Sequence, residues 1–114
     1  MGIEQIEQLA KIEEAEFRVF NEFLTKLQRS SEGNETLLDR TMVLHASNLG
    51  NASAHSTQNL PIIVAGGGFK HAGHVAYDHK NNRPLSNLYV RMLHQMGIEA
   101  DKFGTSTGVI NDIG

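Results

Sequence analysis

All six histidines of this chain fall between residues 45 and 94, and the first forty residues contain none. Imidazole changes charge near neutral pH, serves as a general base and is a common metal ligand, so this stretch is where chemistry would sit. His55 lies in a run of small polar residues, where a neutral ring could bind zinc or take a proton. A zinc site needs three or four ligands, however, and a loop histidine is more often a surface or hydrogen-bonding residue. His71-Ala-Gly-His74 places two histidines three residues apart, with Asp78 and His79 following. That spacing can share a ligand in a turn or helix, but Gly73 argues against a rigid helix, and two solvated surface histidines are the better reading. His45 stands inside an apolar run and reads as a core or half-buried histidine with one hydrogen bond, and His94 as an exposed helical residue.

Other chemistries lack a frame. Gly66-Gly67-Gly68 has neither of the glycine patterns that cradle phosphate, so a tight turn after a strand explains it better. Ser47, Ser53 and Ser56 lie near His55, yet none has the Gly-x-Ser-x-Gly setting of a nucleophile elbow. The acidic residues concentrate at exposed positions of the first helix, which leaves no seat for a carboxylate pair. With no cysteine in the chain, disulfides, thiolate metal sites and thiol nucleophiles are excluded.

The elements that would position these residues can be read from apolar spacing. Ile3, Ile6, Leu9, Ile12, Val19, Phe20, Phe23, Leu24 and Leu27 recur mostly at three- and four-residue steps, predicting an amphipathic helix over residues 1–30, with the stripe weakening to Ala15 in between. Lys26 and Arg29 suit its negative C-terminal end. A strand–loop–strand–helix unit follows over residues 41–98. Met42-Val-Leu44 and Ile62-Ile-Val-Ala65 are continuous apolar runs, as expected of strands covered on both faces. Residues 71–77 suggest a short strand. Pro84 starts a helix over about 85–96, and Gly97 caps it. Residues 99–114, rich in Gly, Ser and Thr, read as an irregular, partly frayed tail.

At 114 residues the chain is one domain or less, short for a complete doubly wound α/β enzyme. Its apolar runs are too short to span a bilayer, so membrane insertion is not expected. The net charge of −3 arises in residues 1–40, where nine acids face five bases; residues 41–114 hold four acids and five bases. Neither part offers the basic surface that nucleic acid requires. The N-terminus lacks the basic start and apolar stretch of a signal peptide.

Five ordered blocks carry a resemblance: Leu37-Leu-Asp-Arg-Thr-Met-Val-Leu44, Ser47-Asn-Leu-Gly-Asn-Ala-Ser-Ala-His55, Asn59-Leu-Pro-Ile-Ile-Val-Ala-Gly-Gly-Gly-Phe-Lys70, Pro84-Leu-Ser-Asn-Leu88 and Met96-Gly-Ile98. Together they resemble the C-terminal part of an uncharacterised family of large exported bacterial proteins named for a His-x-x-Ser-His-His motif. That motif is absent here and in the family stands upstream, so the resemblance implies a C-terminal fragment and an exported or periplasmic location. More distantly, the order strand, polar loop with His, strand ending in Gly is similar to the last section of the alkaline phosphatase and sulfatase superfamily. This implies a three-layer αβα sheet fold, with His55 at a metal-ligand position and zinc or another divalent metal in the full-length relative. The superfamily's Asp-His pair would fall near Ser47 and Asn48, which are poor zinc ligands.

The expectation is therefore an α/β fragment of an alkaline phosphatase-like fold, related to metal-dependent phosphate or sulfate ester hydrolases but inactive in this form. His55 is the candidate metal ligand, with Ser47, Asn48, Asn51, His71 and His74 as candidate site-lining residues. The alternative is a non-catalytic structural or binding domain on the same fold, with no metal and no turnover; the sequence does not name a small-molecule substrate. Exposed sheet edges and an uncovered apolar face would favour a homo-oligomer.

Overall fold

The computed structural model describes residues 2–71 and 73–114. It is a mixed α/β chain with the order α1 (Ile3–Arg29), β1 (Ser31–Glu32), β2 (Glu35–Thr36), β3 (Met42–Ala46), β4 (Ile62–Gly66) and α2 (Ser86–Gln95). The first helix starts where the Gly2 amide donates to Gln5 Oε1 at 3.0 Å, one half of a capping box. It ends where Ser30 turns extended and returns both its amide and its hydroxyl to the Lys26 carbonyl.

Only the C-terminal half of α1 meets the rest of the chain. Phe20, Leu24 and Leu27 are half-buried, whereas every described residue before Phe20 is exposed. The weakened stripe near Ala15 marks the point where the helix leaves the body. Beyond α1 a feature appears that apolar spacing does not signal: β1 and β2 form a tiny antiparallel hairpin. Arg40 clamps it by reaching Glu32 at 3.2 Å and Glu35 at 3.7 Å. Thr36 and Asp39 exchange side-chain-to-amide bonds of 3.1 Å each across the next turn.

β3 and β4 pair antiparallel, with His45 opposite Ile63 and Leu44 opposite Val64. The expectation of strands covered on both faces is corrected here: four of the five β3 residues and four of the five β4 residues are half-buried and none is buried. A two-stranded ribbon has two open edges, so its apolar residues stay partly accessible even where both faces have neighbours. Side chains alternate across the ribbon. One face presents His45, whose ring lies 5.2 Å from that of Phe17 and 4.7 Å from that of Phe20, so α1 covers this side. The other face presents Ile62 and Val64.

Gly66, Gly67 and Gly68 all take left-handed φ angles of 72°, 69° and 76°. A β-carbon on Gly66 would strike the carbonyl oxygens of Leu38 and Thr41, and one on Gly67 would strike Met42. The run is therefore a close-approach turn, and the Gly67 amide donates to Leu38 O at 3.0 Å. Residues 71–77 do not form the short strand expected of them. His71 and Gly73 have φ of 56° and 85°, incompatible with an extended ladder, and Ala72 lies outside the described residues.

α2 ends as foreseen at Gly97 (φ 81°), with Gly97 N–H donating to His94 O and Ile98 N–H to Leu93 O, a Schellman pair. The buried hydrophobic residues are Phe69, Leu88, Val90 and Ile110, so the core centres on α2 rather than on the sheet. Residues 99–114 lack regular structure, as expected, and are held against α2 by specific contacts. They run back along α2, with the His94 ring on Ala100 O at 2.6 Å, Phe103 edge-on to Tyr89, and Asn87 bound to residues 107–110. Arg91 reaches Gly114 O at 2.9 Å and stacks 4.9 Å over Phe69.

Candidate functional site

The uncovered side of the strand pair does not pack directly on α2. Between them lies a cavity of about 450 Å³, within the roughly 300–1,000 Å³ usual for small-molecule sites. Its apolar walls come from three elements: Ile62 and Val64 of β4, Leu85 and Leu88 at the start of α2, and Ile110 and Ile113 of the tail. Its polar rim carries His71, Tyr77, His79 and Arg83, with Gln58 and Asn59 at the loop end.

Local structure holds this rim in place. The His71 amide donates to Ile113 O at 3.0 Å, and its ring meets Phe69 edge-on at 5.9 Å. Arg83 lies 4.7 Å over the Tyr77 ring and 3.6 Å from Asp112 Oδ2, while the Tyr77 hydroxyl donates to Asp112 Oδ1 at 2.8 Å. Burial first, then the hydrogen bond to Asp112 and the charge of that carboxylate, push the Tyr77 phenol above its ordinary value of 10.0; Arg83 opposes the shift. Tyr77 is thus a neutral hydrogen-bond donor at physiological pH.

The residues singled out from the sequence divide into two places. His71 lines the cavity, but His74 is exposed and does not. His55, Ser47, Asn48 and Asn51 sit in the loop between β3 and β4, all exposed and away from the cavity lining. Their polar atoms build that loop: Ser47 Oγ donates to Leu49 O and accepts from Leu49 N, and Asn51 Oδ1 accepts from Ala54 N at 3.2 Å. His55 itself has a left-handed φ of 49° in a turn closed by pairing of Asn51 with Ser56. Among the described residues no three His, Asp or Glu side chains come together to hold a metal ion. The groups near His55 do not fit zinc, since hydroxyl and carboxamide oxygens are weak ligands for it and two of them are already engaged in the turn.

No family model, curated protein or solved structure matches this chain. The site therefore has to be judged by its own geometry. Tyr77, Arg83 and the wall residues Ile110 and Ile113 were not singled out from the sequence, and His79 was noted only beside the His71–His74 pair. Ile110 and Ile113 carried a faint signal, two isoleucines three apart in a mostly polar tail. Tyr77 and Arg83 carried none, because their meeting depends on Asp112, 35 positions from Tyr77. No helix among the described residues is long and apolar enough to cross a membrane.

Proposed function

We propose that this chain is the C-terminal part of an exported bacterial protein of the His-x-x-Ser-His-His family, on a three-layer fold related to the metal-dependent phosphate and sulfate ester hydrolases. In this form it acts as a non-catalytic binding segment. The observation that carries the binding reading is the cavity, whose apolar walls converge from the second strand, the second helix and the tail, beneath a polar rim. The placement of α1 on one side of the strand pair and of α2 and the tail on the other is consistent with the layered fold.

A larger assembly is supported by the surface. The chain exposes 8580 Å², whereas a compact monomer of 12.6 kDa would expose about 6,200 Å². Its radius of gyration is 16.4 Å, against about 13 Å for a compact domain of this length. One exposed stripe lies on α1, where Ile12, Val19 and Phe23 share a face and are 57%, 65% and 48% exposed. A homo-oligomer joined through α1 would cover these side chains.

Octanol, a neutral apolar probe, tests the binding reading in amide-resolved NMR titrations. Shifts should cluster at the cavity walls and vanish in a Val64→Trp variant that fills the space. If neither octanol nor its charged analogues shift those amides, the cavity is not a binding site. A zinc titration beside His55→Ala separates the hydrolase-like alternative, for which micromolar binding lost in the variant would speak.

A further inference from the structure

Arg83 is the charged side chain on the rim, and among the described residues no aspartate or glutamate lines the cavity. Asp78 is taken up by its own turn, its Oδ1 accepting the Lys80 amide at 2.8 Å, whereas Asp112, off the lining, is shared by the Tyr77 hydroxyl and the Arg83 guanidinium. Below the rim the walls are branched aliphatic side chains. A ligand that uses both parts must bring an apolar body to the walls and an acceptor-only head to the rim.

We infer that the cavity takes a small amphiphilic monoanion, an aliphatic carboxylate whose chain lies against Ile62, Val64, Leu88 and Ile110 and whose head is held by Arg83 and Tyr77. This rests on the reading of the cavity as a binding site. The planar guanidinium matches a carboxylate through paired N–H donors. The Tyr77 hydroxyl, a neutral donor, can turn from Asp112 to the ligand head. Asp112 is then the competitor: it holds Arg83 in the empty cavity and must yield part of that contact when the ligand enters. Burying the chain supplies affinity in proportion to apolar area, and the head supplies selectivity, because a carboxylate can accept from the Arg83 N–H donors and an ammonium head cannot.

The test compares octanoate, octanol and octylammonium, three probes with one chain and different heads, by calorimetry and amide-resolved NMR on the full chain. Octanoate should bind about ten-fold or more tightly than octanol, as expected for a charge-assisted pair, and octylammonium should bind most weakly. Arg83→Gln should remove the advantage of octanoate, bringing it down to the affinity of octanol for the same variant. Asp112→Asn, which frees Arg83, should strengthen octanoate several-fold, so the inference is testable even if the arginine variant does not fold. Equal binding of all three probes, or an Arg83→Gln effect equal on octanoate and octanol, overturns the anion preference while the binding site stands. Binding of none overturns the site itself, and the inference with it.

Discussion

Asn87 is the residue on which the second half of the chain turns, and replacing it is the sharpest test of the packing described above. The side chain is 4% exposed and its Oδ1 accepts from the amides of Thr107 at 2.9 Å and Gly108 at 3.3 Å, while Nδ2 reaches Thr107 Oγ1 at 3.4 Å. Asn87→Ala strands those two amides. Thr107 is exposed, so water can replace its partner and the loss there is about 1 kcal/mol; Gly108 is half-buried, and its loss is closer to about 2 kcal/mol. Alanine returns roughly 0.6 kcal/mol through helix propensity, leaving a net destabilisation of about 2 kcal/mol. Against the roughly 5 kcal/mol expected of a domain with so small a core, that is a large fraction. Asn87→Asp keeps the acceptor, and its charge sits favourably in the first turn of α2, so it should cost about 1 kcal/mol or less. Urea unfolding followed by circular dichroism measures the difference, and hydrogen exchange at residues 107–110 locates it. The reasoning fails if Asn87→Ala changes stability by less than about 0.5 kcal/mol with exchange unchanged, or if aspartate is as damaging as alanine.

Three further outcomes are expected. Gly66→Ala should destabilise by about 2 kcal/mol or more, because a β-carbon there meets two backbone carbonyls and an L-residue resists φ of 72°; urea unfolding measures it. In an ultraviolet titration, Tyr77 should ionise above the ordinary 10.0, and Asp112→Asn should lower its midpoint by removing the carboxylate charge. Since the folded value is raised, the stability linked to Tyr77 is present below pH 10 and lost as pH rises through the folded midpoint, a loss that the Asn variant should reduce. Sedimentation at micromolar concentration should show a dimer or larger species, shifted toward monomer by Val19→Glu on the exposed face of α1; a monomer in both proteins would refute assembly through that face.

The regular elements were legible because each rests on a local apolar period. Ile3 through Leu27 set α1, Met42–Leu44 and Ile62–Ala65 set the two longer strands, and Leu85 through Met96 with Gly97 set α2 to within a residue or two. The hairpin of Ser31–Glu32 and Glu35–Thr36 was not, since its residues are polar and its fixing contact is Arg40 reaching back to two glutamates. The tail was legible as irregular but its packing was not, for a related reason: composition reports its glycines and threonines, whereas its contacts come from Asn87, twenty positions away from Thr107. The candidate site was only partly legible. Histidines drew attention to the correct half of the chain, and His71 does reach the cavity. The stronger determinants are aliphatic walls and an arginine–tyrosine–aspartate cluster assembled across sequence distance, which no local spacing encodes.

The pleat of the strand pair has a consequence for how this protein can vary. In β4 the even-numbered Ile62 and Val64 look into the cavity, while Ile63, opposite His45, belongs to the face that α1 covers. Substitutions along this strand should therefore fall into two classes by the parity of the residue number, one altering ligand fit and the other the seating of α1. The two properties can drift separately by point mutation. Loss or gain of a single residue in β4 would exchange the classes at once and carry Gly66 out of the narrow gap beside Leu38 and Thr41. The lineage of this chain should accordingly accept many replacements in β4 and almost no change in its length.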